Sequence, residues 1–278
     1  MSEDRVRIEI EDHVAVVRMV RADKHNALDA GMFEALHAAY DRLVDEPVVR
    51  AVVLCGEGKS FCSGLDVASF AGGVGASSMT MDDILERAPG KLANFAQRVA
   101  TDWIDLPVPV IAALHGNCFG GGLQIALGAD IRIAAPDTRM SVMEIKWGLV
   151  PDMGITQTLP RLVGIDVAKE LSFTGRFIDG NEARELGLVT QVADDPFAAA
   201  HALATEIAGK SPDAVRAGKL LYDQSWQNMG AAEALVLETD LQVGLMGSPN
   251  QIAAITAAMT KQPGDFADPQ PRSVPAGA

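Results

Sequence analysis

Residues 108–130 have the sequence Val-Pro-Val-Ile-Ala-Ala-Leu-His-Gly-Asn-Cys-Phe-Gly-Gly-Gly-Leu-Gln-Ile-Ala-Leu-Gly-Ala-Asp, and they organise the rest of the chain. A short apolar run, 108–114, ends at Gly116, and the triple glycine 120–122 leads into an Ala- and Leu-rich segment. This order predicts a buried strand, a tight turn and the start of a helix. The first turn of a helix carries unpaired N–H groups and partial positive charge. The stretch therefore suits negative charge, whether a phosphate, a carboxylate or a developing enolate oxygen.

Four functional interpretations of this stretch can be compared. A dinucleotide fingerprint requires a glycine where Ile125 stands, and a P-loop requires a Gly-Lys-Ser/Thr ending that is missing. A nucleophile elbow centred on Cys118 requires an acid and then a histidine later in the chain. The only later histidine, His201, lies in an Ala-rich helical pattern. The fourth interpretation is an oxyanion-binding peptide N–H, and glycines that only allow close packing are the structural alternative.

Composition narrows the class of protein. The 278 residues carry 23 Lys and Arg against 37 Asp and Glu, a net charge of −14, which argues against nucleic acid or an anionic membrane as a partner. Three cysteines and five scattered histidines form neither a disulfide framework nor a metal cluster. The polar N-terminus lacks the apolar core of a signal peptide, and no apolar run approaches the ~20 residues that span a bilayer. We expect a cytoplasmic, metal-free enzyme.

The segments around the centre predict an α/β fold. Alternation over 6–10 and 14–20 predicts a hairpin, and Asp29 is a predicted N-cap of the helix that follows. The apolar run 48–54 predicts a strand that is covered on both faces. Residues 92–106 predict an amphipathic helix, and the loop-like segment 67–90 is a candidate substrate loop.

The chain resembles the crotonase superfamily, the enoyl-CoA hydratase/isomerase family, from about residue 14 to residue 259. The matching segments in chain order are Asn26-Ala-Leu28, Ser60-Phe-Cys-Ser-Gly-Leu-Asp66, Pro109-Val-Ile-Ala-Ala113, Gly116 with Phe119-Gly-Gly-Gly122, Ala129-Asp-Ile-Arg132, Gly148-Leu-Val-Pro151, Leu159-Pro-Arg-Leu-Val-Gly164, Thr174-Gly175, and Ala183 with Gly187-Leu-Val189. Each segment is weak evidence by itself, but all of them in register are specific.

The resemblance implies a crotonase-type α/β fold with a core of repeated ββα turns and a C-terminal helical trimerisation region. The corresponding predicted domains are a catalytic, acyl-CoA-binding core at 1–195, an oligomerisation region at 196–261 and a disordered tail at 262–278, which is rich in Pro and Gly. The resemblance also implies an acyl-CoA substrate and assembly as a homotrimer or a dimer of trimers. Coenzyme A would enter as part of the substrate, with no separate cofactor.

The resemblance assigns the substrate contacts residue by residue. The N–H groups of Ser63 and Gly121 are expected to bind the thioester oxygen. Ser63, Leu65, Asp66, Gly121 and Lys24 are the expected acyl-CoA contacts. For Asp66 a turn-stabilising role is the alternative, and for Lys24 a solvated surface position.

Two positions decide the chemistry that the resemblance implies. Hydratases of the family carry two glutamates, and here the corresponding residues are Gln124 and Glu144. An amide cannot exchange a proton as a carboxylate does, although it can orient a water or the substrate. Glu144, between apolar neighbours, would have a raised pKa that suits a proton shuttle. Asp152 resembles an aspartate of the dienoyl-CoA isomerases, and it is also a natural turn residue after Pro151.

These residues favour enoyl-CoA double-bond isomerisation, with Glu144 as the proton shuttle and Asp152 as a second acid. The alternatives are an enoyl-CoA hydratase of the fatty-acid β-oxidation type, with Gln124 orienting the water, and a non-catalytic acyl-CoA-binding trimer. Thioester hydrolysis and dehalogenation on the same scaffold also stay open.

Overall fold

The computed structural model describes residues 5–66 and 81–269. Its strands are β1 Val6–Glu11, β2 Val14–Met19, β3 Ala51–Gly56, β4 Val110–Leu114, β5 Asn117–Phe119, β6 Ile131–Ala134, β7 Arg139–Ser141 and β8 Gln191–Val192. Its α-helices are α1 Ala30–Leu43, α2 Met81–Leu85, α3 Phe95–Asp105, α4 Gly121–Leu127, α5 Leu159–Leu162, α6 Ile165–Thr174, α7 Gly180–Leu186, α8 Pro196–Ala208, α9 Pro212–Asn228, α10 Ala231–Leu245 and α11 Pro249–Thr260.

Six of the described strands form one sheet in the order β1-β2-β3-β4-β6-β8, and β5 pairs with β7 in a small second sheet. Strand β1 is antiparallel to β2, with Ile8 opposite Val17, which confirms the predicted hairpin. The remaining neighbours in the large sheet are parallel. Parallel neighbours require crossover connections, and α1 is the crossover from β2 to β3. Asp29 caps α1 as predicted, because its carboxylate accepts from the N–H of Met32 at 2.9 Å.

Helices cover the large sheet on both faces. One face packs into the main core with α1, α3 and α4, and the other packs against α8. Strand β3 is buried along its whole length, as predicted for a strand between two layers. Helix α8 contributes Ala200 and Ala204 to the core beneath the sheet, so the packed core continues past the predicted boundary at residue 195. The core extends through α8, and the outlying helical region begins at α9.

The segment after α11 is held against the body of the protein. Asn250 donates to the carbonyl of Ala267 at 3.0 Å and accepts from its N–H at 2.9 Å. Arg50 donates to the carbonyl of Phe266 at 2.9 Å and to the carboxylate of Asp268 at 3.0 Å. The prediction of a disordered tail is therefore wrong for residues 262–269, because these long-range partners compensate for the missing core. Residues 270–278 lie outside the described residues.

The loop predicted over 67–90 contains a short helix, α2, and its first part, 67–80, lies outside the described residues. Helix α3 begins later than predicted, because Asn94 and Gln97 form a reciprocal capping box that starts the helix at Phe95. In the described part of the chain, no helix has the length and apolar character needed to cross a bilayer.

Candidate active site

The glycine-rich centre connects β5 to α4 and contains a backbone donor for which the described residues supply no acceptor. Gly120 is the N-cap of α4 and has a φ of 51°, a conformation that glycine adopts without strain. Its N–H donates to the carbonyl of Ser141 at 3.0 Å, and its carbonyl accepts from Gln124 N–H at 3.0 Å. The N–H of Gly121, the first residue of the helix, has no acceptor among the described residues. It is therefore available to a ligand.

A second free donor belongs to Leu65, which pairs with Leu28 in an isolated parallel bridge. Leu28 N–H donates to the carbonyl of Gly64, and Asp66 N–H donates to the carbonyl of Leu28, both at 2.9 Å. Because successive peptide groups of an extended segment point to opposite sides, the N–H of Leu65 points away from Leu28. It has no acceptor within the described part of the chain.

The two free donors belong to segments that lie close to each other. A Cβ placed on Gly64 would be 3.7 Å from the nitrogen of Gly121, so the segment carrying Leu65 runs directly past the start of α4. Two preorganised N–H groups that converge on one point can stabilise negative charge on an oxygen atom. Leu65 and Gly121 are therefore candidate donors of an oxyanion hole.

Ser63 is not one of these donors, and its predicted oxyanion role is wrong. Its N–H donates to the carbonyl of His25 at 2.9 Å, and its hydroxyl donates to the carbonyl of Lys24 at 3.3 Å. Gly64, with a φ of 86°, interrupts the extended alternation between Ser63 and Leu65. The two N–H groups therefore do not face the same way, although their residues are two apart.

Glu144 lies over the glycine turn, at the start of a 3₁₀ turn, Glu144–Trp147, that follows β7. A Cβ on Gly120 would be 3.4 Å from its Oε1. Oε1 accepts a hydrogen bond from Gln124 Nε2 at 2.6 Å, whereas Oε2 is buried without a hydrogen-bond partner among the described residues. Burial raises the pKa of the Glu144 carboxyl. Hydrogen bonding to the backbone of Glu144 itself and to Gln124 opposes this rise, and the charge of Asp152 adds to it. Oε2 is thus a desolvated carboxylate oxygen and a candidate base.

Gln124 is buried, with 1% of its surface exposed, and both ends of its amide are in use. Nε2 donates to Glu144, and Oε1 accepts from the N–H of Met153 at 2.8 Å. The amide therefore fixes the orientation of Glu144 and ties it to the loop at Met153. One N–H and one lone pair of the amide are left, and both lie in a position that is almost closed to solvent.

The remaining predicted site residues, Asp152, Asp66 and Lys24, differ in exposure and in their partners. Asp152 is exposed, and close enough to Glu144 for its charge to act on that carboxyl. Asp66 forms an ion pair with Arg21, from Nη2 to Oδ2 at 2.8 Å. Lys24 is exposed in a 3₁₀ turn next to Ser63. A catalytic role for Asp152 and coenzyme A contacts for Asp66 and Lys24 stay predictions.

Cys118 does not fit a nucleophile. It is fully buried, and burial raises the pKa of its thiol well above the ordinary value, with neighbouring Cys62 adding to the effect. His201 lies on α8, beside Phe197, on the opposite face of the sheet from Cys118. The nucleophile-elbow alternative is wrong, because the thiol and the histidine are separated by the sheet.

Comparison with known proteins shows which family the chain is similar to. The family described as enoyl-CoA hydratase/isomerase matches residues 9–268. The chain is 31% identical to the mitochondrial methylglutaconyl-CoA hydratase of Mus musculus, over 94% of this chain and 83% of the relative. It is 32% identical to the mitochondrial Delta(3,5)-Delta(2,4)-dienoyl-CoA isomerase of Rattus norvegicus, over 90% and 77% of the two chains. The crystal structure of enoyl-CoA hydratase from Bacillus anthracis superimposes with a TM-score of 0.83 at 29% identity, covering 94% of this chain and 98% of that one.

The chain belongs to the enoyl-CoA hydratase/isomerase family, within the crotonase superfamily, and it is an enzyme of this kind. The predicted crotonase-type α/β fold is confirmed. Sequence reasoning missed the unpaired N–H of Leu65, the anchoring N–H of Met153 and the pairing of Asp66 with Arg21. A signal for Leu65 existed, because Gly64 marks a change of backbone direction immediately before it.

Proposed function

We propose that the protein is an enoyl-CoA isomerase that moves a double bond along the acyl chain, with Glu144 as its single proton carrier. The observation that supports this most is that the side-chain amide of Gln124 is hydrogen-bonded to protein at both ends. Hydration of a double bond requires a held and activated water, and the buried Gln124 amide already binds Glu144 and Met153. Isomerisation requires only one base that takes a proton and returns it.

The proposed reaction starts with the thioester oxygen of a 3-enoyl-CoA bound to the N–H groups of Leu65 and Gly121. Oε2 of Glu144 removes a proton from C2, and the electrons of the C2–H bond form a dienolate whose charge rests on the thioester oxygen. Each backbone donor of such a hole is worth about 10²–10³ in rate. Glu144 then returns the proton to C4, and the double bond lies between C2 and C3.

The surroundings of Glu144 support both halves of this cycle. A base that must first accept and then release a proton works best when its pKa lies near the operating pH. Burial raises the pKa of Glu144 towards that range, while the hydrogen bond from Gln124 limits the rise. The chemistry uses protein groups alone, and coenzyme A takes part only as a portion of the substrate.

The experiment offers trans-3-enoyl-CoA and trans-2-enoyl-CoA of several chain lengths to the protein and to Glu144→Gln. Glu206→Gln, a solvent-exposed substitution on α8, is the matched control. We expect 3-enoyl-CoA to be converted to 2-enoyl-CoA without hydroxyacyl product, with the activity lost in Glu144→Gln and kept in the control. Rapid hydration of 2-enoyl-CoA by the unmodified protein would instead support the hydratase alternative. Binding without any reaction would support the acyl-CoA-binding alternative.

We also propose that the protein assembles as a trimer or a pair of trimers through its last three helices. Helix α10 has no buried residue, and large apolar side chains of α9–α11 and their connections are exposed. They are Tyr222, Trp226, Leu235, Val236, Val243, Met246, Ile252, Ile255 and Met259. Exposed apolar surface of this extent is typical of a protein–protein interface. Light scattering after size-exclusion chromatography should give three or six chain masses, and a single chain mass would contradict the proposal.

A further inference from the structure

A half-buried network of four charges lies behind the oxyanion hole. Arg21 pairs with Asp66 at 2.8 Å and with Asp29 at 3.4 Å, and Arg5 pairs with Asp29 at 3.0 Å. The side chains of Arg21 and Asp66 are only 12% and 14% exposed. Ion pairs that are shielded from water hold their geometry better than surface pairs do. This network is therefore a fixed part of the fold next to the site.

Arg21 contacts both segments of the bridge that presents Leu65. Its Nη1 donates to the carbonyl of Ala27 at 3.0 Å, one residue before Leu28. Its Nη2 binds the carboxylate of Asp66, one residue after Leu65. One guanidinium group thus spans the Leu28–Leu65 pair. A planar group with several donors in a fixed fork is suited to such a role, and a lysine ammonium is not.

We infer that Arg21 is a positioning residue for the oxyanion hole, acting through Asp66 to hold the N–H of Leu65 in line with that of Gly121. The inference rests on the proposed binding of an acyl-CoA thioester at these two donors. Arg21 itself does not touch the reacting atoms. Oxyanion stabilisation depends on donors whose directions are fixed before the reaction.

The charge of Arg21 has a second effect on the same step. Without it, the negative charge of Asp66 would be less well compensated beside a site where negative charge develops on the thioester oxygen. Like charges at short range in a shielded site repel each other. Loss of Arg21 should therefore weaken the transition state more than the bound substrate, lowering kcat with little change in KM.

The test measures the hydrogen bonds to the thioester carbonyl directly, with 3-phenylpropenoyl-CoA as the probe. The absorption of this conjugated thioester moves to longer wavelength when its carbonyl oxygen is hydrogen-bonded. The variants are Arg21→Gln, Arg21→Lys and Asp66→Leu. Arg5→Gln is the matched control, because it removes the other arginine of Asp29 and leaves the Arg21–Asp66 pair in place.

We expect a clear red shift with the unmodified protein and with Arg5→Gln, and most of that shift to be lost in Arg21→Gln and Asp66→Leu. Arg21→Lys should be intermediate. We expect kcat of Arg21→Gln to fall about 10–100-fold, below the effect of deleting a donor outright, with KM changed less than about threefold. A merely structural ion pair would change stability without changing the carbonyl absorption.

Several outcomes would overturn the inference. A full red shift in folded Arg21→Gln would do so, and so would an equal loss of shift in Arg5→Gln. If Arg21→Gln does not fold, Asp66→Leu decides, because it keeps the contacts of Arg21 with Asp29 and Ala27; a full shift there refutes the positioning role. Absence of a shift with the unmodified protein would refute the proposed thioester site itself. In that case the inference falls with it.

Discussion

Replacing Gln124 by methionine tests the amide that joins Glu144 to Met153. Methionine has a similar length but no hydrogen-bonding amide, so Gln124→Met removes two bonds, one of 2.6 Å to Glu144 and one of 2.8 Å from Met153 N–H. The position is 1% exposed, so water cannot readily replace the lost partners. The two bonds differ in their dependence on pH, and this separates their effects.

The Met153 N–H loses its acceptor at every pH, which should cost about 1–3 kcal/mol of unfolding free energy. The bond to Glu144 is charge-assisted only when that carboxyl is ionised, and its loss should then cost about a further 1.5–3 kcal/mol. Burial already raises the pKa of Glu144 in the folded protein, so stability is lost as the pH rises through that pKa. Gln124→Met removes one of the hydrogen bonds that oppose this rise and should enlarge the loss of stability.

Urea unfolding from about pH 4 to about pH 8 measures the effect, with exposed Gln157→Met as the control. The difference in unfolding free energy between the protein and Gln124→Met should grow as the pH rises. The acidic limb of kcat/KM should also move to higher pH, because Glu144 must be ionised to act as a base. A stability difference that does not vary with pH, or an unmoved acidic limb, would refute this description of the Gln124–Glu144 bond.

Three further predictions concern groups outside the Gln124 bond. Burial raises the pKa of Asp223 to about 6, so ionisation of this carboxyl destabilises the fold above that pH. Asp223→Asn should therefore raise the unfolding free energy at about pH 8 by about 1 kcal/mol, after allowance for solvent screening. A lower unfolding free energy of the variant in urea would contradict this. A Cβ on Gly122 would lie 2.6–2.8 Å from atoms of Cys62, so Gly122→Ala should lower the unfolding free energy by about 1–3 kcal/mol in thermal unfolding. The control is Gly218→Ala, whose Cβ meets no atom within 4 Å and which should not lower the unfolding free energy. The three cysteines are buried, so a thiol reagent should modify none of them in the native protein and all 3 in denaturant. Rapid inactivation by the reagent, with Cys118→Ser resistant to it, would instead support a mechanism that uses the Cys118 thiol.

Local chemistry explains which parts of the fold could be predicted. The hairpin follows from alternation, the start of α1 from the capping carboxylate of Asp29, and the turn before α4 from its glycines. Each signal lies within a few residues of the feature that it determines. Helical periodicity also predicted α8, but a periodic pattern does not identify the surface on which a helix packs. For this reason α8 was assigned to the outlying region although it lies on the sheet.

The errors arose where distant residues decide the structure. Composition alone suggested a disordered segment at 262–269, but Arg50 and Asn250 bind it from far away in the chain. The assignment of Ser63 failed because the backbone conformation of Gly64 redirects the donors on either side of it. The sequence indicated that Gln124 departs from the family pattern, but its bond to Met153 depends on tertiary structure.

The three central glycines fit both interpretations of the motif, close packing and a free backbone N–H. Gly120 allows the turn and the close approach of Glu144, while Gly122 allows α4 to pack against Cys62. Gly121 supplies the free N–H. The motif therefore serves packing and also leaves a backbone donor free for the proposed ligand, and the spacing of the glycines alone does not separate these two roles.

The most direct test of a single, shielded proton carrier follows the proton itself. A trans-3-enoyl-CoA with deuterium at C2 would be converted in ordinary water, and mass spectrometry with NMR would locate the label in the 2-enoyl product. Because Oε2 of Glu144 is buried, we expect a measurable fraction of the deuterium that leaves C2 to reappear at C4. Complete loss of the transferred label to solvent, or its recovery in a hydroxyacyl product, would contradict transfer by one buried carboxylate.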